Sequence, residues 1–144
     1  MKIAVGSDEK TNLTTAVVAR LQEMGHQVQL YGALARENTP WPKVGEAVAG
    51  AILRGEAEVG VLLCWTGTGV SIAANKLPGI RAALCADAET ARGARLWNHA
   101  NVLVMSLRLT SEAVAREMLE AWFSTPFGGG EDARGQPSPA HRHR

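Results

Sequence analysis

Strands alternating with helices along 144 residues predict an α/β fold, a three-layer α/β/α sandwich around a five-stranded parallel sheet. Two observations carry this expectation. Short apolar runs recur along the chain, each followed by a segment with helical spacing and separated from it by a short turn. The run Val59-Gly60-Val61-Leu62-Leu63 is apolar throughout, as a parallel strand covered on both faces must be.

Residues 2–8 (KIAVGSD) read as a first strand ending in a polar turn. From about Asn12, the residues Leu13, Val17, Val18 and Leu21 recur at helical spacing, and Gly25 stands where a C′ glycine ends a helix. Residues 26–32 alternate as a strand does. Residues 36–43 read as a loop, broken by Pro40 and Pro42 around Trp41, and residues 44–53 as an Ala-rich helix ending near Gly55. The third strand, residues 59–63, runs through a Gly-rich turn into a helical pattern at residues 70–76. A fourth strand follows at residues 80–85, a helix at 88–96 and a fifth strand at 100–105. Thr110 or Ser111 caps a last helix that carries Val114, Met118, Leu119 and Trp122 on one side. Residues 1–127 thus read as one domain. Residues 128–144, with GGG, QPSP and HRHR, lack periodicity and read as a tail that ends disordered, His141 and His143 included.

Composition excludes several classes of function. An apolar fraction of 46% with a formal charge of +1 is that of an ordinary globular protein, with no electrostatic footprint for nucleic acid or an acidic membrane surface. No apolar run approaches the ~20 residues of a membrane span, and the first residues read as a strand rather than a leader. The expectation is a cytoplasmic protein. Cys64 and Cys85, both in strand-like runs, are too few for a disulfide scaffold and read as reduced thiols.

The stretch that organises the chain is Cys64-Trp65-Thr66-Gly67-Thr68-Gly69, between the third strand and the helix after it. A strand that ends in a Gly-rich turn and opens a helix makes a cup of backbone N–H groups, suited to a phosphate, a carboxylate or a developing oxyanion. Cys64 stands at the carboxyl end of a strand, where open α/β sheets carry their chemistry. The spacing is neither a P-loop nor a dinucleotide fingerprint. By itself it leaves a structural turn with an inert thiol and a functional site equally open.

The stretch Cys64-x-Thr66-Gly67-x-Gly69-x-Ser71-Ile72-Ala73-Ala74-Asn75-Lys76-x-Pro78-Gly79-Ile80-Arg81-Ala82-Ala83 resembles the ribose-5-phosphate isomerase B family, which also contains the galactose-6-phosphate isomerase subunits. The likeness extends to Lys2-Ile3-Ala4-x-Gly6-Ser7-Asp8, to Asn98-x-Ala100-Asn101-Val102-Leu103-Val104, and to Thr125-Pro126-Phe127. It implies a Rossmann-like fold and a homodimer or dimer-based tetramer, with the C-terminal segment of one chain reaching the other's pocket. It also implies aldose–ketose isomerisation without metal or cofactor, on a sugar or polyol-like small molecule. Cys64 is then the base that moves a proton between C1 and C2 through an enediolate. The backbone of Trp65, Gly67, Thr68 and Gly69 and the Thr66 hydroxyl hold the reacting oxygens. Asp8 matches a sugar-contacting position and Arg108 a phosphate arginine; Asn98 and Asn75 also match family positions, Asn98 reading as a ligand or turn residue and Asn75 as structural support. Without the resemblance, Asp8 reads equally well as an N-cap or Asx-turn.

The departures from the family pattern share one direction. The family's Asp-His after strand one is Asp8-Glu9 here, its Asp-Tyr-Pro loop is Pro40-Trp41-Pro42, and the glycine after its cysteine is Trp65. The ring-opening histidine of a His-Asn-Asp triplet is Trp97, followed by Asn98 and His99. The phosphate-gripping Arg-His-x-x-Arg aligns with Glu131-Asp132-Ala133-Arg134-Gly135. Cations thus give way to Glu9, Glu131 and Asp132, and three tryptophans stand at pocket positions. The expected substrate is non-standard and non-phosphorylated, weakly anionic or cationic, and either already open-chain or not a cyclic sugar at all. The alternatives are a lyase or epimerase using the same base and oxyanion cup, and a non-catalytic binding module or partner subunit.

Overall fold

The computed structural model describes residues 1–126. Within them lie strands at Lys2–Ser7 (β1), Gln27–Gly32 (β2), Val59–Cys64 (β3), Ala82–Leu84 (β4) and Val102–Ser106 (β5). Helices occupy Asn12–Glu23 (α1), Trp41–Leu53 (α2), Thr68–Asn75 (α3), Ala88–Asn98 (α4) and Glu112–Ser124 (α5), with one 3₁₀ turn at Ala33–Ala35. Every strand pairing is parallel, in the order β2-β1-β3-β5-β4.

The period-2 alternation of the strands divides the core into two layers. Ile3, Val5, Val61, Leu63, Leu103 and Met105 pack against α1, α4 and α5. Ala4, Leu62, Cys64, Val102 and Val104 turn the other way, against α2 and α3. This is the α/β/α sandwich expected from the sequence, with the central strand β3 buried at every position. Local chemistry ends the elements where the sequence placed it. α1 closes at Gly25, where the N–H of His26 reaches the Leu21 carbonyl at 3.1 Å, and Ser111 rather than Thr110 caps α5.

Several boundaries differ from the sequence reading, three of them for local reasons. α2 begins at Trp41, inside the expected loop, because Pro40 is its N-cap and Pro42 lies in the first turn, where no backbone N–H is needed. The prolines read as breakers are helix starters. α3 begins at Thr68 rather than Val70, since Gly67 itself is the N-cap. β4 keeps only Ala82–Leu84, because Ile80 closes a turn onto Leu77 and Arg81 bonds to the Asn101 side chain. Asn75 fixes the start of β4 from the end of α3, donating to the Ala82 carbonyl at 2.9 Å and accepting from its N–H at 2.7 Å.

The topology positions the site. β1 and β3 are neighbours, but the chain leaves β1 through α1 toward β2 at one edge and leaves β3 through α3 toward β4 at the other. Connections that diverge leave a crevice at the carboxyl ends of the two strands. Asp8 follows β1 at that point, and Cys64 ends β3. No described helix is long and apolar enough to cross a membrane.

Candidate active site

Cys64 shares the face of Leu62, so its thiol points into the layer of α2 and α3 and is only 4% exposed. The chain then turns sharply. Gly67, at φ +84°, lets the backbone fold back so that its N–H donates to the Cys64 sulfur at 3.2 Å. A side chain at Gly67 would be strained by that left-handed backbone, and its Cβ would also press on the tip of the Leu84 side chain, 2.5 Å away. The same residue caps α3, so the sulfur sits at the positive end of a helix and accepts an amide hydrogen bond. The Gly67 amide, expected to face a substrate oxygen, is instead engaged by the sulfur.

A cavity of about 220 Å³ opens at this point, lined by Cys64, Trp65, Thr66, Thr68 and Gly69, with Asp8 and Trp41 opposite. The Thr66 and Thr68 hydroxyls are 2.9 Å apart, and Thr66 Oγ1 also accepts weakly from the Thr68 N–H at 3.4 Å. Thr66 therefore braces the turn and faces the cavity as well. Asp8 does not cap a helix. Thr11 caps α1, and the turn after β1 is closed by the Ser7 hydroxyl on the Glu9 carbonyl at 2.7 Å. The Asp8 Oδ1 is buried, with no hydrogen-bond partner among the described residues. Such an acceptor is costly to bury unless something donates to it, and it lines the cavity.

Trp41, at the first turn of α2, lays its ring against Gly69 so closely that a Cβ there would lie 2.9 Å from it. Trp65 is 58% exposed, and the Arg108 guanidinium stands over its ring, 5.9 Å from the centroid. The backbone holds that pair in place. The Trp65 carbonyl accepts from the Arg108 N–H at 3.1 Å and from the Ser106 hydroxyl at 3.0 Å, and the Cys64 carbonyl accepts from the Leu107 N–H at 2.9 Å. Ser106 was missed from the sequence. Its signal is a polar residue ending the apolar run Val102-Leu103-Val104-Met105.

Other expected site residues lie elsewhere. Glu9 is exposed and its side chain does not line the cavity. Trp97 and Asn98 end α4, which runs back to the amino edge of the sheet, where Asn101 accepts from the Gly60 N–H at the start of β3. From Gly60 to Cys64 the strand rises roughly 13 Å, so these two residues stand at the opposite edge of the sheet from the cavity within one chain. Asn98 lines a separate depression there with Arg81 and Asn75, and Arg92 stacks over Trp97. His99, next to Asn98, is the left-handed C-cap of α4 at that same edge. Glu131, Asp132, Arg134 and the expected tail lie outside the described residues.

Both cysteines are free. Cys85 is of the inert kind, with burial and the nearby Asp87 pushing its thiol up to about 12. It lines a smaller cavity of about 140 Å³ on the other side of Thr66, with Ser106, Leu84 and Leu109.

The sequence profile of the Ribose/Galactose Isomerase family matches residues 3–136. The chain is 38% identical to ribose-5-phosphate isomerase B of Escherichia coli over 130 residues, 90% of this chain and 87% of that protein. It is 38% identical to the D-erythrulose-4-phosphate isomerase of Pectobacterium atrosepticum over 135 residues, 92% of this chain and 89% of the relative. The crystal structure of a ribose 5-phosphate isomerase from Thermotoga maritima superposes with a TM-score of 0.85 at 41% identity, covering 92% of each chain. A shared profile, relatives matched over most of their length and the same Rossmann-like architecture agree: the chain belongs to the ribose/galactose isomerase family of sugar isomerases.

Proposed function

We propose that this protein interconverts an open-chain aldose and its ketose through an enediolate, with Cys64 as the base. The observation that carries this reading is the Cys64 sulfur at the wall of an open cavity, accepting a hydrogen bond from Gly67 at the N-terminus of α3. The thiolate removes the proton on C2 of the aldose, and the electron pair moves to the carbonyl oxygen on C1. The resulting enediolate faces the first-turn amides of α3, which helix geometry leaves without intrahelical partners, and the Thr66 hydroxyl. Cys64 then returns its proton to C1, and a proton passes from the C2 oxygen to the C1 oxygen, which completes the ketose. Asp8 accepts from a sugar hydroxyl. Two copies of the chain form the working unit, the second supplying Trp97 and Asn98 from the far edge of its sheet, and also its C-terminal segment.

The substrate is not phosphorylated. No Lys, Arg or His lines the cavity among the described residues, whereas the carboxylate of Asp8 does. A phosphate carries nearly two negative charges and draws on several cationic or N–H donors. The relatives are named for sugar phosphates, and the cationic positions of the family pattern are here Glu9, Glu131 and Asp132.

The test is proton–deuterium exchange followed by NMR, with wild-type and Cys64→Ala proteins against neutral, acidic and phosphorylated sugars in D₂O. The expected result is Cys64-dependent exchange next to the carbonyl of an unphosphorylated compound. Turnover of ribose 5-phosphate at ordinary KM would overturn the substrate assignment. Absence of exchange with every sugar would overturn the isomerase reading.

A further inference from the structure

Arg81 stands where the turn after α3 meets the exit of α4, half-buried at the amino edge of the sheet. Arg20, Arg54 and Arg92 each pair with a glutamate, but no carboxylate among the described residues pairs with Arg81. Its Nε donates instead to the Asn98 carbonyl at 2.6 Å. That carbonyl belongs to the last residue of α4, where helix geometry supplies no N–H and the helix dipole favours a cation. The two segments are already joined without the guanidinium. The Arg81 N–H reaches Asn101 Oδ1 at 2.8 Å, Asn101 Nδ2 reaches the Gly79 carbonyl at 3.0 Å, and the Asn101 N–H reaches the Arg81 carbonyl at 3.0 Å. What the guanidinium adds is the orientation of one peptide plane, between Asn98 and His99.

That plane needs a restraint. His99 is left-handed, at φ 50°, a conformation that a residue other than glycine keeps only when its surroundings impose it. Arg95 Nη1 donates to the Ala100 carbonyl at 3.0 Å, so two arginines grip the chain, one before His99 and one after it. The Asn98 side chain, by contrast, is exposed and bonds to nothing among the described residues. A residue with a gripped backbone and a free amide is presented outward.

We infer that Arg81 is a positioning residue that aims the Asn98 amide of its own chain at the cavity of the second copy. This inference rests on the isomerase reading and the two-chain unit proposed above. Arg81 touches no substrate. It fixes the peptide from which the Asn98 side chain departs, and misplacing a contacting group by about 1 Å can slow a reaction by roughly 10²-fold. Each site then combines Cys64 of one chain with Asn98 and Arg81 of the other.

The test is complementation in mixed dimers. Chains carrying Cys64→Ala and Arg81→Gln are co-expressed with different affinity tags, and the doubly tagged species is isolated. Exchange in D₂O is followed by NMR with D-erythrose, D-ribose and ribose 5-phosphate. The Arg81→Gln dimer should exchange about tenfold to a hundredfold more slowly than wild type. Its melting temperature should stay near wild type, because the Asn101 bonds remain. The mixed dimer holds one site with both Cys64 and Arg81 intact, and should exchange at about half the wild-type rate. A variant that merely loosened its own chain would not be complemented. Arg81→Lys, which keeps a cation at the helix end, should recover part of the loss, and takes the place of Arg81→Gln in the mixed dimer if that variant fails to fold. Asn98→Ala should be complemented by Cys64→Ala in the same way. Wild-type exchange by the Arg81→Gln dimer, or a mixed dimer no faster than its Arg81 parent, would overturn the role of Arg81 and leave the isomerase reading standing. Failure of Asn98→Ala to be complemented, or recovery of no doubly tagged species, would overturn the two-chain unit and the role of Arg81 together. No Cys64-dependent exchange by the wild-type protein with any of these sugars would overturn the isomerase reading, and this inference with it.

Discussion

The N–H of Gly67 donates to the sulfur of Cys64 at 3.2 Å, from a glycine that is at once the turn, the helix cap and the thiol's hydrogen-bond donor. One residue thus couples backbone shape to the reactivity of the base. The first two predictions separate those contributions.

Cys64→Ser keeps the volume and a hydrogen-bonding atom but replaces the thiol by a hydroxyl that does not ionise near neutral pH. Exchange should fall by roughly 10²–10⁴-fold, the usual contribution of a general base. The melting temperature should move little, because the cavity wall is conserved. Retention of wild-type exchange would place the base elsewhere. Alkylation at pH 8 should modify Cys64 and spare Cys85, as peptide mapping would show.

Gly67→Ala forces a Cβ into the left-handed region and to 2.5 Å from Leu84. A strained backbone of this kind costs about 1–3 kcal/mol. Urea titration should show that loss, and exchange should fall further than stability alone explains because the amide no longer meets the sulfur. A variant as stable and active as wild type would mean that the turn tolerates a side chain.

The alkaline limb of stability should depend on Cys85. Its ordinary thiol value is 9.0 and burial raises it to about 12 in the folded chain. Between those values the unfolded chain releases a proton that the folded chain keeps, so the folded state binds more protons and stability falls as pH rises. The contribution is fully present below pH 9 and is lost through about pH 12, with a slope approaching ~1.4 kcal/mol per pH unit. Cys85→Ala should flatten this limb in denaturation measured from pH 8 to 11. An unchanged slope would assign it to other groups.

Trp122 is fully buried on α5, its indole Nε1 has no hydrogen-bond partner among the described residues, and the Arg95 guanidinium stacks on its ring at 5.0 Å. Trp122→Ala should cost about 3–5 kcal/mol through the void it leaves. Trp122→Phe loses no hydrogen bond and keeps a ring for Arg95, so the cost should be roughly 1–2 kcal/mol. Equal losses in the two variants, measured by urea titration at fixed protein concentration, would show that the N–H is satisfied after all.

Much of the fold was legible because its causes are local. Apolar runs of strand length, glycines after helices and a Ser cap declare themselves within a few residues. The Cys64 turn was legible for the same reason, since strand, turn and helix are consecutive. Boundaries set by proline were misread, because proline ends one helix and begins another, and only the path of the chain decides which.

The sequence by itself determined the parallel α/β sandwich and the cup in which a thiol meets a helix N-terminus. Tertiary structure alone decided which side chains share that cup. Asp8 and Trp41 come to Cys64 because β1 and α2 pack beside β3, and Arg108 comes to Trp65 because β5 pairs with β3. Trp97 and Asn98 are carried to the other edge of the sheet, because a helix that follows a parallel strand must run back along it. Proximity across strands is a property of register and layer order, and no local pattern of residues encodes it.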